Sequence, residues 1–278
     1  MENYPKVSVI IAASRKEPLY GDSLKHQDYS DYEIISVSGY AAAKARNIAL
    51  NKAKGEIFAF IDDDVVLPNN WISKGVSLLR ETGADIVGGP NIGFPDATLG
   101  ERLSDMLISS RLLNGMRRQY RRAGQPGFFN YKNFATCNLM AYRTVFEKIG
   151  PFNEQYRYTE DMEFLLRSDL KRIAKYHSPE FFLYHKRRSF PWSHMKQIFF
   201  WGYGNMQLAC DYGIIFKRTD MWLSLLILPI GLIFLYFFFK PVLLISLLLF
   251  PLSVHFLSYA CGAVVGFFVF YAKKRRPA

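Results

Sequence analysis

The chain has 278 residues, 50% of them hydrophobic, and a formal net charge of +11 at pH 7. With an apolar tail set aside, about residues 1–215 remain, enough for one good-sized α/β domain with its own core. The basic balance points to anionic partners, and beside an apolar tail these are lipid headgroups or phosphorylated substrates; without zinc-ligand spacing or a basic groove-reading helix in the sequence, no nucleic-acid partner is expected.

Val7–Ala12 reads as a first buried strand, Tyr20–Gln27 as a short helix and Glu33–Val37 as a second strand. Ala41–Ala53 reads as a helix closed by Lys54-Gly55, with glycine in the usual C-terminal position. Ile57–Ile61 is a third apolar strand, and it runs directly into Asp62-Asp63-Asp64. Pro68 opens a helix through Arg80, and Ile86-Val87 is a fourth strand. Strands alternating with helices at this spacing predict a parallel, helix-covered sheet. Further helices are expected over Thr98–Arg122, Thr144–Ile149, Thr159–Ser168 and Trp192–Leu208, with strand-like stretches at Phe134–Tyr142 and Phe181–Tyr184.

The tail is of another kind. From Met221 to Ala272 the only formal charge is Lys240. Trp222–Phe239 is long enough to cross a bilayer, whereas Val242–Ala272 is too long for one untilted helix and short for two. Lys217-Arg218 precede the first stretch and Lys273-Lys274-Arg275-Arg276 follow the second, so the positive-inside tendency predicts two crossings, at about 221–239 and within 242–272, with both flanks in the cytosol. The expected division is therefore a cytosolic domain over 1–215 and a membrane domain over 216–278. The N-terminus is polar up to Lys6, and no signal peptide is expected. Cys137, Cys210 and Cys261 are isolated and odd in number, which implies no disulfide framework and fits a reducing compartment.

The acidic triplet carries the chemistry. A buried strand delivers Asp62, Asp63 and Asp64 to its C-terminal edge, where open α/β sheets bind ligands. Carboxylates packed this closely repel one another unless a cation sits among them, and Mg²⁺ or Mn²⁺ both suits carboxylate oxygens and bridges to phosphate. Standing alone, the triplet also fits a solvated turn before Pro68. Glu160-Asp161, after Thr159, fits a helix start with Thr159 as its cap and acids in the first turn. Arg117, Arg118, Arg121 and Arg122 recur at a spacing that would put them on one helical face, which suits a lipid-linked phosphate, bilayer headgroups or plain solvent.

Several motifs stand in a familiar order: Val7–Ile11, Ala45-Arg46-Asn47-Ile48-Ala49, Ala53–Asp64, Cys137–Arg143, Gly150–Glu154 and Thr159-Glu160-Asp161. Over about residues 6–205 the chain resembles the family 2 glycosyltransferases, which have the GT-A fold. The resemblance implies a mostly parallel, helix-covered sheet that binds a nucleotide sugar, followed here by transmembrane helices, and sugar transfer with inversion.

Carried over by position, Asp62-Asp63-Asp64 resembles the family's DxD motif, which implies a divalent metal (Mn²⁺ or Mg²⁺) held by Asp64, with Asp62 and His185. Glu160 and Asp161 resemble the second acidic motif, with Asp161 as general base toward an acceptor hydroxyl. The implied donor cradle is Ala12, Ser14 and Arg15 after the first strand, Ser38 after the second, Lys44 and Arg46 on the next helix, Asp62 and Asp63, with Arg187 and Arg188 clamping diphosphate. Ala12 and Ser38 stand where the family commonly has proline and a uracil-reading aspartate, so a uridine donor does not follow from the pattern. The Gln-x-x-Arg-Trp motif of processive synthases does not occur in the sequence.

The expectation is a multi-pass plasma-membrane enzyme with a cytosolic catalytic domain. It passes a sugar to a lipid-linked or membrane-proximal acceptor in cell-envelope glycan, glycolipid or glycoprotein assembly. Two alternatives are transfer to polyprenyl phosphate, which needs no base, and a catalytically silent membrane scaffold.

Overall fold

The computed structural model describes residues 5–15, 17–110, 118–214 and 243–274, with side chains over 251–270 in the last stretch. The chain folds as two compact units, Met1–Pro95 with Gly115–Lys186, and Asp96–Asn114 with Arg187–Ala278. The sequence boundary near 215 thus falls inside the second unit, which begins with a helix expected in the first domain.

In the first unit β1 (Val7–Ala13), β2 (Tyr32–Ser38) and β3 (Ile57–Asp62) are linked by α1 (Gly21–Lys25) and α2 (Ala42–Lys52). After β4 (Val65–Val66) come α3 (Trp71–Thr82), β5 (Ile86–Gly88) and β6 (Asn91–Ile92). The chain re-enters the unit through β7 (Gly127–Phe128), β8 (Asn138–Tyr142), α5 (Arg143–Ile149), α6 (Glu160–Leu170), β9 (Lys175–His177) and β10 (Leu183–His185). The main sheet has the order β2-β1-β3-β8-β5-β9-β7, and a small sheet has the order β4-β10-β6.

β3 is an unbroken apolar run up to Ile61, and β1 is apolar apart from Ser8, because helices cover both faces. Val7, Val9, Ile10, Ile11 and every residue from Ile57 to Ile61 are buried. Ile57, Ala59 and Ile61 pack with Trp71, Ile72 and Val76 on one face. On the other, Phe58 and Phe60 meet Phe146, which stacks on Phe164 with centroids 4.8 Å apart. Each fully buried side chain of this size contributes about 1.5–3 kcal/mol.

Three sequence expectations change. β2, β1, β3, β5 and β9 run one way, but β8 lies antiparallel between β3 and β5, and β7 is antiparallel to β9. α2 ends without a left-handed glycine: Ala53 caps it in extended conformation. Gly55 instead allows β1 to approach, since a Cβ there would lie 2.6 Å from the Ser8 nitrogen.

The expected helix over Thr98–Arg122 is shorter. α4, which follows β6 in the chain, spans Leu99–Ser109, opens with a Thr98–Glu101 capping box and ends at an extended Ser110. Arg118–Tyr120 forms a 3₁₀ turn. Arg118 lies over the Phe129 ring at 4.0 Å and Arg122 over Phe182 at 3.8 Å, so these two arginines part to different aromatic partners and form no helical face. Arg117 lies outside the described residues.

The second unit holds α4, α7 (Trp192–Asp211) and α8 (Leu243–Lys274). α8 is one continuous helix with Pro251 inside it. α7 and α8 run the same way along each other, His194 meeting His255 and Tyr203 meeting Phe270. Their backbones touch through glycine: a Cβ on Gly202 would collide with the Tyr259 carbonyl, and one on Gly262 with the Phe199 carbonyl. Among the described residues, one helical stretch, Pro251–Phe270, is long and apolar enough to cross a membrane. The expected first crossing, 221–239, lies outside the described residues.

Candidate functional site

β3 carries Asp62 to its C-terminal end, and the chain turns through Asp63 and Asp64 into β4. β4 pairs antiparallel with β10, placing His185 opposite Val65, and the Lys186 N–H donates to the Asp64 carbonyl at 2.9 Å. This ladder brings a histidine distant in sequence over the acids. His185 Nε2 stands 3.4 Å from Asp64 Oδ1 and 3.6 Å from Asp62 Oδ2.

The Nδ1 of His185 lies 3.1 Å from the Lys186 carbonyl oxygen, a contact that assigns a proton to Nδ1 and turns Nε2 toward the carboxylates. Two carboxylates and a ring nitrogen so oriented fit Mn²⁺ or Mg²⁺. A fourth donor, the Cys137 thiol, was not foreseen: Asp62, Cys137 and His185 each present a ligand atom, all within 4.8 Å of one another. The sequence does not place it beside Asp62, because that position depends on the antiparallel register of β8.

Asp63 faces the other way. Its Oδ2 accepts the N–H of Ser14, the N–H of Arg15 at 2.6 Å and the Ser14 hydroxyl at 3.1 Å, and its carbonyl accepts Leu19 N–H at 2.9 Å. Asp63 is buried and anchors the segment after β1. Arg15, so held, reaches Asp64 Oδ2 with Nη2 at 3.1 Å. Ala12 pairs with Asp62 in the β1–β3 ladder, while Ser38 and Lys44 are exposed, Lys44 lying over the Tyr40 ring.

Arg46 sits on the inner face of α2 and is buried. Its Nη1 donates to Glu160 Oε1 at 2.6 Å and its Nη2 to Asp62 Oδ1 at 3.2 Å. The first acidic motif is thereby tied to the second through one guanidinium. Asn47, next on the helix, fixes Phe152 by a reciprocal pair of bonds, 2.9 and 3.0 Å, which carries the chain toward α6. Burial works against the Asp62 charge, but the nearby His185 and the Arg46 charge outweigh it, and Asp62 is held below the usual carboxylate range.

α6 opens with Glu160 and Asp161. Thr159 occupies the cap position, yet its side chain caps nothing, and its buried hydroxyl makes no hydrogen bond. Burial, with the neighbouring Glu160 charge, pushes Asp161 up to about 7, against the opposing pull of Arg46. A carboxyl poised near neutral pH is suited to proton transfer. The structure thus brings together Asp62, Asp64, His185, Arg15 and Arg46, and joins Glu160 to them. Arg187 and Arg188 belong to the second unit, where Arg187 is buried against Asp105, Nε to Oδ1 2.6 Å.

Residues 22–150 match the family described as glycosyl transferase family 2. That range takes in Arg46 and the acidic triplet and ends before Glu160. The glycosyltransferase AglE of Haloferax volcanii is 29% identical over 128 residues, 45% of this chain and 38% of AglE, so the match spans under half of that relative's length. Among solved structures the chain is similar to the mannosyltransferase PcManGT of Pyrobaculum calidifontis, determined with GDP-Man and Mn²⁺, at a TM-score of 0.63 and 13% identity over 96% of this chain and 88% of that one. It is also similar to residues 1–349 of TarS from S. aureus, determined with UDP-GlcNAc, at a TM-score of 0.51 and 14% identity over 98% and 93% of the two chains. At these identities the likeness establishes a shared fold. The family match covers residues 22–150, under half of this chain.

Proposed function

We propose that this protein transfers a sugar from a nucleotide sugar to an acceptor hydroxyl with inversion, using a divalent cation at Asp62, Asp64 and His185. The observation that carries this reading is the convergence of those three donors at one sheet edge, joined through Arg46 to the helix that bears Asp161. A cation there would neutralise charge building on the leaving diphosphate. Arg15, held by Asp63, supplies a further positive group at the same edge.

Asp161 takes the proton of the acceptor hydroxyl. The oxygen forms its bond to the anomeric carbon as the bond from that carbon to the diphosphate oxygen breaks, and configuration inverts. An Asp161 held near neutral favours a hydroxyl acceptor, because an ionised phosphate brings no proton to remove. The relatives solved with GDP-Man and UDP-GlcNAc support a nucleotide-sugar donor without choosing the base.

A membrane-proximal acceptor is part of the proposal. It is supported by Pro251–Phe270, where Val264, Val265 and Phe268 remain exposed on a helix of membrane-crossing length.

Thermal unfolding of the chain with a panel of nucleoside diphosphates, with and without Mn²⁺, tests the donor reading. A bound diphosphate at a hundred times its Kd stabilises by about 2.7 kcal/mol, and the shift should appear only when both nucleotide and cation are present. Indifference to every nucleotide, with and without Mn²⁺, would count against the proposal.

A further inference from the structure

The Cys137 thiol is foreign to the chemistry proposed for this edge. Mg²⁺ and Mn²⁺ are served chiefly by carboxylate, carbonyl and water oxygens, and a sulfur adds nothing for them. Its position is nevertheless well determined. Asn138 opens β8 directly opposite Ile61 in the antiparallel ladder, so the preceding residue falls level with Asp62 at the end of β3. Asn138 is buried and pinned on three sides: Oδ1 accepts Trp71 Nε1–H at 2.9 Å, and Nδ2 donates to the Phe181 carbonyl at 2.8 Å and the Pro90 carbonyl at 3.1 Å. Trp71 in turn stacks on Phe181, centroids 5.1 Å apart.

Three elements therefore deliver three unlike donors to one point: sulfur from the entry to β8, oxygen from the end of β3, and nitrogen from β10, all within 4.8 Å. His185 meets the requirement for a ligand, its far nitrogen directed to a backbone carbonyl. Around a tetrahedral zinc ion such donors stand about 3.5 Å apart, a closure of about an ångström that side-chain rotation supplies. Asp62 and His185 are part-exposed, which leaves an entry path and a fourth position for water.

We propose that Cys137, Asp62 and His185 form a site for a thiophilic divalent cation of the zinc class, filled in the absence of nucleotide. On binding, the Cys137 S–H bond gives its proton to solvent as the sulfur–metal bond forms. Because Asp62 and His185 are shared with the diphosphate cation, the two metals exclude one another, and zinc-class occupancy withdraws ligands from the hard cation. The site does not rest on sugar transfer: it requires only that these three side chains meet one ion.

The test is titration of the metal-free full chain with Co²⁺, without nucleotide, in a Cys210→Ser/Cys261→Ser background that leaves Cys137 as the sole thiol. The expected result is a thiolate-to-cobalt charge-transfer absorption that saturates at one equivalent and is displaced by Zn²⁺. His185→Gln should weaken it by at least about tenfold, and Cys137→Ser, or Cys137→Ala if serine fails to fold at this buried place, should abolish it. X-ray absorption of the zinc-loaded protein needs no variant at Cys137 and should show one sulfur at about 2.3 Å. A zinc shell of nitrogen and oxygen alone, or a cobalt band absent from the folded protein or surviving loss of Cys137, overturns the proposal. Mn²⁺-dependent nucleotide binding, measured in parallel, tests the transfer reading separately.

Discussion

Arg46 Nη1 donates to Glu160 Oε1 at 2.6 Å, inside the protein, while its Nη2 holds Asp62 on the sheet edge. One side chain on α2 thus sets the distance between the acids that would face the diphosphate and the helix that would face the acceptor. Its planar fork allows both bonds at once, which a lysine ammonium on a single stem does not reproduce.

Replacing Arg46 by Met leaves Glu160 buried without its counter-charge. The expected loss of stability is about 3–5 kcal/mol, read from chemical denaturation. Arg46→Lys should restore a fraction of it. Wild-type stability in Arg46→Met would show that the guanidinium is not the tie described.

Asp161 gives a pH prediction with a definite sign. Its carboxyl titrates at about 7 in the folded chain against an ordinary value of 3.8. Between those values the unfolded chain ionises it readily and the folded chain does not, so this group's contribution to stability falls as pH rises through the window. Activity moves oppositely, because the base form appears as pH rises. The profile of kcat/KM should therefore climb through about pH 7 on its acid side, and Asp161→Asn should lose on the order of 10²–10⁴ in kcat. A profile that is flat across that range contradicts the assignment.

Neighbouring acids should separate by role. Asp64→Ala is expected to remove Mn²⁺-dependent nucleoside diphosphate binding and leave the protein folded. Asp63→Ala instead frees the N–H groups of Ser14 and Arg15, and about 1–3 kcal/mol of stability should go with them. Cation binding by the Asp63 variant should persist, with donor KM raised. Calorimetric titration with Mn²⁺ and nucleotide distinguishes the two, and identical behaviour would refute the division.

The glycine contact of the second unit is testable by itself. Gly262→Ala drives a methyl against the Phe199 carbonyl, and the helices must move apart. The expected cost is about 1–3 kcal/mol, measured as thermal unfolding in detergent. An unchanged midpoint would mean that α7 and α8 do not meet there.

Much of the site was legible because it is local. The apolar run Ile57–Ile61 ends in three acids, and any buried strand delivers them to an edge. Glu160-Asp161 at a helix start is equally a short-range signal. What escaped depends on pairing between distant segments. Nothing in residues 138–142 states that they insert antiparallel between β3 and β5, yet that register alone sets Cys137 beside Asp62. Arg46 was readable as a polar residue in a familiar motif; its bridge to Glu160 arises only once α2 and α6 pack. The arginine spacing at 117–122 suggested a helical face, but an extended Ser110 ends α4 and a 3₁₀ turn carries Arg118, so helical periodicity does not apply.

The central claim is sugar transfer with inversion, and it can be watched without knowing the acceptor when water takes the acceptor's place. The full chain in detergent with Mn²⁺ is incubated with GDP-mannose and, separately, with UDP-GlcNAc, and the anomeric proton of the released sugar is followed by NMR before mutarotation. The account predicts that at least one α-linked donor releases first the β sugar, and that Asp64→Ala releases none. Initial release of the α sugar, or release undiminished in Asp64→Ala, would contradict it.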